Sequence, residues 1–161
     1  MKENETIRSI FDQMNNKIHY CLLRDLEKDL FVDYNPEKDI DIIVNPSNKK
    51  EFFSLMQKDG WKWVRHPWDF GNNFIFLYGM DPFVFLTKNN VKLDVCFQLC
   101  CRSVNHVEWL PLDQEINKSV WENRYYDADK AVYRLAEKDE LIHLVSRCIF
   151  DKMKFPEEYQ M

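Results

Sequence analysis

Apolar and polar residues alternate along Asp39–Val44 in the way that is typical of a β-strand with two different faces. In an extended chain, Ile40, Ile42 and Val44 would lie on one face and the carboxylates of Asp39 and Asp41 on the other. Asp is uncommon in strands, and successive positions on one face are roughly 7 Å apart. Two carboxylates at this spacing can lean together onto a divalent cation.

A second alternating stretch, residues 91–97, predicts a neighbouring strand that carries a third carboxylate, Asp94. Lys92 and Cys96 share the face of Asp94, and the opposite face is apolar: Val91, Leu93, Val95 and Phe97. Three acidic side chains on two adjacent strands are the ligand set that a magnesium-dependent phosphoryl or nucleotidyl transfer site requires. The alternative is that these aspartates only cover the solvent-exposed face of a sheet, and the joint pattern favours the metal site.

Helical periodicity occurs on both sides of these strands. The first helix is expected to end near Asn15-Asn16, and Asn45-Pro46 has the form of a helix start whose helix Gly60 ends. A further helix is expected near Gln114–Asn123 within the weakly patterned stretch 102–134. The predicted buried face of the first helix is Ile7, Ile10, Phe11 and Met14. A C-terminal helix is expected to end at Pro156, and its predicted buried face is Leu141, Leu144, Val145, Cys148 and Ile149.

Further apolar runs predict additional strands at Ile18–Leu23, Trp61–Val64, Phe74–Tyr78 and Phe83–Thr87. Asn89-Asn90 is a plausible tight hairpin turn before the strand that carries Asp94. Strands and helices mixed in this order predict an α+β fold, a mixed β-sheet flanked by helices. We expect one domain over residues 1–161, with the catalytic sheet at about 18–100 and a C-terminal helical part at about 112–155.

Composition narrows the functional classes. The hydrophobic fraction of 45% indicates a folded chain, and the net charge of −5 argues against a general nucleic-acid or anionic-membrane binder. It does not argue against binding of one nucleotide, because a local metal site outweighs the global charge. The N-terminus lacks an apolar leader, and no stretch approaches the ~18 apolar residues of a membrane span, so we expect a cytoplasmic protein.

The five cysteines are expected to be reduced and mostly structural. Cys96, Cys100, Cys101 and His106 are a possible zinc set, but their spacing matches no common zinc knuckle. The aromatic stretch from Trp61 to Phe76 could stack on a nucleobase or sugar, although core packing is the preferred interpretation. His19 and His143 are interpreted as packed residues. Arg65 and His66 could contact phosphate, although a solvated strand end is the preferred interpretation.

Asp39-Ile40-Asp41 on one strand and Leu93-Asp94-Val95 on a later one resemble the polymerase-beta-like nucleotidyltransferase superfamily. The chain is similar in particular to small bacterial nucleotidyltransferase-family proteins of unassigned substrate. In those, a Leu-Arg pair often ends the first strand, here Leu23-Arg24. Their C-terminal helix tends to carry the pattern seen here as Asp139-Glu140-Leu141-Ile142-His143-Leu144. The resemblance covers about residues 18–152.

The resemblance implies a metal-dependent transfer of a nucleoside monophosphate from an NTP, with ATP expected, to a hydroxyl of a small molecule, sugar or protein. Asp39 and Asp41 would bind two Mg²⁺ ions, and Asp94 would share in metal binding and activate the acceptor hydroxyl. The superfamily's Gly-Ser at the end of the first strand is missing here, because the three glycines are at 60, 71 and 79. Arg24 is therefore expected to bind the triphosphate in its place, and Lys38 and Lys92 to contribute to nucleotide binding.

Two other functions stay open. One is a catalytically silent module of the same fold that acts with a protein partner, as an antitoxin-like protein does, or as a homodimer. The other is an α+β binding domain whose acidic strands are only surface. The three intact aspartates keep the enzyme interpretation first. Fold analogy does not identify an acceptor or a preferred base.

Overall fold

The two alternating stretches form neighbouring strands, β2 (Ile40–Val44) and β6 (Val91–Cys96), in the computed structural model of the protein. The structure describes residues 2–24, 34–66 and 75–154. The two strands run parallel, and their register sets Asp41 directly opposite Asp94. The prediction that the acidic residues lie on adjacent strands is confirmed.

The described helices are short, and none of them combines the length and the apolar character needed to cross a membrane. They are α1 (Lys2–Asn15), α2 (Lys49–Lys58), α3 (Gln114–Asn123) and α4 (Glu137–Ser146). A 3₁₀ turn (Pro46–Asn48) precedes α2, and a π-helix (Arg147–Lys152) continues α4. The other strands are β1 (Tyr20–Leu22), β3 (Lys62–Val64), β4 (Ile75–Phe76), β5 (Val84–Lys88), β7 (Cys100–Arg102), β8 (Glu108–Pro111), β9 (Tyr125–Asp127) and β10 (Val132–Arg134).

The strands form two mixed sheets, which confirms the predicted α+β class with a mixed sheet. The larger has seven strands in the order β3-β5-β6-β2-β1-β10-β9, and the smaller has the order β4-β8-β7. In the larger sheet β2 pairs with β6, and β1 with β10, in parallel, while the other pairs are antiparallel. The C-terminal part is therefore not only helical, because β9 and β10 complete the same sheet.

Apolar side chains cover both faces of the seven-stranded sheet. Ile40, Ile42 and Val44 belong to a core formed with α1 and α2. On the opposite face, which carries the aspartates, Ile43 and Cys96 pack with Val120 of α3. Covering both faces of the sheet removes more apolar surface from water than covering one face does. The face that carries the aspartates is therefore not an open, solvent-exposed face.

Local sequence signals set several element boundaries. The side chain of Asn45 accepts a hydrogen bond from the Ser47 N–H at 2.9 Å, which caps the turn before α2. Gly60 has a φ of +80° after α2, a conformation that glycine adopts without steric cost. Asn89 and Asn90 both have positive φ, +49° and +64°, as a tight hairpin between β5 and β6 requires.

The C-terminal helix is rotated relative to its predicted buried face: the prediction is confirmed at Cys148 and wrong at Leu141, Val145 and Ile149. Leu141 and Ile149 are 49% and 51% exposed, whereas Asp139 and His143 are buried. The π-helix begins at Arg147 and changes the angular spacing from there on, and within it Cys148 is buried while its neighbour Ile149 is not. The helical segment ends at Lys152, and Pro156 lies outside the described residues.

Candidate metal centre

Asp39, Asp41 and Asp94 come together at one place on the sheet. Asp39 immediately precedes β2, Asp41 is the second residue of that strand, and Asp94 lies in β6. One carboxylate oxygen from each lies within 4.8 Å of the other two. Carboxylate oxygens are the ligands that hard divalent cations prefer. These three residues could therefore hold a metal ion.

The electrostatics of Asp41 fit such an ion. Burial raises the pKa of its carboxyl group, and the charges of Asp94 and Asp39 raise it further, while Arg24 and Arg147 lower it. The Asp41 side chain is only 9% exposed. A cation between the three groups would offset both the burial and the mutual repulsion, because it stabilises their charged forms.

Arg24 contacts the centre directly. It follows β1, and its Nη2 donates to Oδ2 of Asp41. The backbone supports this position, because the Leu23 N–H donates to the carbonyl of Asp41 at 3.1 Å. The Arg24 side chain remains 30% exposed. Asp25 and Glu27, the acidic neighbours with which Arg24 could pair, lie outside the described residues, and binding of a triphosphate by Arg24 stays a prediction.

His66 belongs to the centre, and sequence reasoning placed it wrongly at a solvated strand end. Its Nε2 lies 3.2 Å from Oδ2 of Asp94, and its side chain is 13% exposed. The ring packs edge-on against Phe85 with the centroids 5.4 Å apart. The register aligns Val64, Phe85 and Asp94 across three strands, so His66, two residues after Val64, comes close to Asp94. This proximity has no signal in the local sequence.

Lys38 and Lys92, the other predicted nucleotide-binding residues, flank the aspartates along the chain and are joined through Tyr34. The Lys92 N–H donates to Oη of Tyr34 at 3.0 Å, and this hydroxyl donates to the Lys38 carbonyl at 2.9 Å. The Lys38 residue is exposed and Lys92 is half-buried. These bonds hold the segment before Asp39 against β6. Nucleotide contacts by the two ammonium groups stay a prediction.

The cysteines form no comparable group among residues 2–24, 34–66 and 75–154. All five are free and buried, and burial raises the pKa of the Cys21, Cys96, Cys100 and Cys101 thiols. His106, the nitrogen ligand of the possible zinc set, has its Nε2 2.8 Å from Sδ of Met153. Within the described chain, the three aspartates are the group whose ligand atoms converge.

The aromatic stretch divides between core and surface. Trp61 is buried, and its Nε1 donates to Asp59 at 3.0 Å. Trp63 is exposed and contacts the ring of Phe53 at a centroid distance of 4.8 Å. Phe76 packs edge-on with Phe83. Trp68, Phe70 and Phe74 lie outside the described residues.

No protein-family model, curated protein or solved structure matches this chain. The chemistry of the centre is therefore the basis for a functional conclusion: three oxygen-ligand carboxylates, one guanidinium group beside Asp41 and one imidazole beside Asp94.

Proposed function

We propose that this protein is a metal-dependent nucleotidyltransferase. It would transfer a nucleoside monophosphate from an NTP, ATP in the first instance, to a hydroxyl acceptor. The observation that carries the proposal is the convergence of Asp39, Asp41 and Asp94 on parallel neighbouring strands. The resemblance of the Asp-x-Asp strand and the later Asp94 strand to polymerase-beta-like nucleotidyltransferases supports the same reaction.

The chain's own residues have distinct roles in this proposal. Two Mg²⁺ ions bound here would stabilise the attacking and the leaving oxygens of an in-line displacement. Asp39 and Asp41 would hold the metals, and Asp94 would accept the proton of the acceptor hydroxyl. His66, 3.2 Å from Asp94, holds that carboxylate in position. Arg24, which donates to Asp41, would bind the phosphates through its other guanidinium donors.

A second candidate is a catalytically silent binding module. The ion pair between Arg24 and Asp41 favours it, because a guanidinium group already neutralises the most buried ligand. The superfamily's Gly-Ser phosphate motif is also missing. Such a module would keep the fold and bind a protein partner without turnover.

Calorimetric titration with each of the four NTPs, with and without magnesium, tests the proposal. We expect magnesium-dependent binding of at least one NTP, and release of pyrophosphate when a panel of hydroxyl acceptors is added. Asp41→Asn and Asp94→Asn should each abolish turnover while the protein stays folded, because each keeps the shape of the ligand but removes its charge.

Asp81→Asn is the matched control. Asp81 is a half-buried carboxylate that pairs with Lys49 and is not one of the three converging ligands, so turnover should survive this change. Near-normal turnover in both Asp41→Asn and Asp94→Asn would exclude the enzyme. Nucleotide binding without turnover in the wild-type protein would favour the silent module.

A further inference from the structure

Helix α4 and the π-helix present a polar row toward the protein interior. Asp139, His143 and Arg147 follow one another at four-residue spacing, which places them on one side of a helix. Asp139 is 1% and His143 4% exposed. A helix that buries its polar side is costly, since buried polar groups need partners to offset lost hydration. The row therefore requires an explanation.

Hydrogen bonds within the described protein do not supply one. Neither carboxylate oxygen of Asp139 and neither ring nitrogen of His143 has a hydrogen-bond partner there. A neutral imidazole carries one N–H donor and one acceptor nitrogen. An orphaned donor of this kind in a native protein indicates a strained region, a catalytic group, or a group that is satisfied by a water molecule or a bound ion.

Burial and the positive charges of two guanidinium groups, Arg147 and Arg24, lower the pKa of His143. Arg147 also acts on Asp41 and on Cys96, which shares the Asp94 face of β6. Packing places these residues on the aspartate face of the sheet, because Leu23, next to Arg24, and Leu135, just before α4, belong to the same buried cluster as Ile43 and Cys96. Nε of Arg147 is 3.5 Å from Oδ2 of Asp151.

We propose that Arg24, His143 and Arg147 form an anion site that binds the phosphate chain of the substrate beside the metal centre. The inference rests on the proposed function and extends it, because it names residues of α4 and the π-helix as phosphate ligands. Two guanidinium forks and one N–H donor suit phosphate oxygens. These donors lie beside three carboxylates. The arrangement fits a metal-bound phosphate chain, in which some oxygens bind the metal and the others accept hydrogen bonds from the donors.

Asp139 lies at the far end of the row and marks the limit of this site. Its charge acts on Cys21 of β1, and it is one helical turn further from Arg147 than His143 is. A carboxylate repels phosphate, so the anion lies at the Arg147 end. Asp151 forms an ion pair with Arg147 at this end, and its side chain also accepts a hydrogen bond from the Arg102 N–H at 2.9 Å.

Binding of inorganic tripolyphosphate and of a non-hydrolysable ATP analogue, both in magnesium, tests the anion site by calorimetry. We expect Arg147→Gln to weaken both ligands by about tenfold or more, as loss of one charge-assisted contact predicts. His143→Leu should also weaken both, whereas His143→Gln, which retains an N–H donor, should restore part of the affinity. Thermal unfolding of each variant reports whether it folds.

Asp151→Asn is the matched control, because it breaks the same ion pair with Arg147 but leaves the guanidinium group in place. If Arg147 acts only through its pair with Asp151, both variants will lose affinity equally, and the anion site is wrong. Unchanged affinity in Arg147→Gln is equally decisive against it. If the wild-type protein binds tripolyphosphate but no NTP, the anion site stands and nucleotidyl transfer is rejected. If it binds neither ligand, both proposals are rejected.

Discussion

Buried His143 should make the protein sensitive to acid. Burial, with the charges of Arg147 and Arg24, lowers its pKa from 6.5 to about 3. In the unfolded chain the imidazole takes up a proton below pH 6.5, but in the folded protein it stays neutral. A lowered histidine pKa therefore stabilises the fold fully above the unfolded value, and this contribution is lost as the pH falls toward the folded value.

The size of the effect follows from the two pKa values of His143, 6.5 and about 3. Between them the unfolded state binds nearly one more proton, so the free energy of unfolding changes by up to about 1.4 kcal/mol per pH unit. Lowering the pH from 7.5 to 5 should remove about 2 kcal/mol from this single group. That is a large fraction of the stability of an ordinary domain.

Urea unfolding followed by tryptophan fluorescence at pH 7.5, 6 and 5 measures the effect. His143→Gln cannot take up this proton. The difference in unfolding free energy between wild type and variant should therefore fall by about 2 kcal/mol over this range. Buried carboxyls such as Asp41 and Asp151, whose pKa values are raised, act in the opposite direction but cancel in the difference.

His19→Gln supplies the control, because it removes a histidine that is exposed, contrary to its interpretation as a packed residue, and leaves the buried His143 in place. If the difference between wild type and His143→Gln is the same at all three pH values, then His143 protonates as readily in the folded protein as in the unfolded chain. The structural account of its buried environment would then be wrong.

Two further predictions concern the rest of the fold. The five buried thiols should react with a thiol reagent only when the protein unfolds. The purified protein should also contain no zinc, and elemental analysis that finds one zinc per chain would contradict that expectation. Asn89→Ala should lower the free energy of unfolding by about 1–2 kcal/mol in urea titrations, because Ala is strained at positive φ and the 2.9 Å bond from Asn89 to Thr6 is lost. An unchanged urea midpoint would show that neither the strain at positive φ nor the lost hydrogen bond to Thr6 lowers stability, and would contradict the prediction.

Local sequence determined the parts of this structure whose causes are local. The strand β2 (Ile40–Val44) follows from a two-residue period, and helix α3 begins where Asp113 accepts a hydrogen bond from the Glu115 N–H at 2.8 Å. The Asn89-Asn90 hairpin follows from residues that tolerate positive φ. The three aspartates were also predicted from the sequence, because each strand shows which of its side chains share a face.

Tertiary structure alone decided which distant residues complete the centre. His66 reaches Asp94 through the register of β3, β5 and β6, and β10 joins the sheet beside β1. The rotation of α4, which buries Asp139 and His143 and exposes Leu141, contradicts its apolar periodicity. Periodicity reports which side chains of a helix share a side. Which side is buried depends on the surface against which the helix packs, and here that surface is formed by α3 and β7.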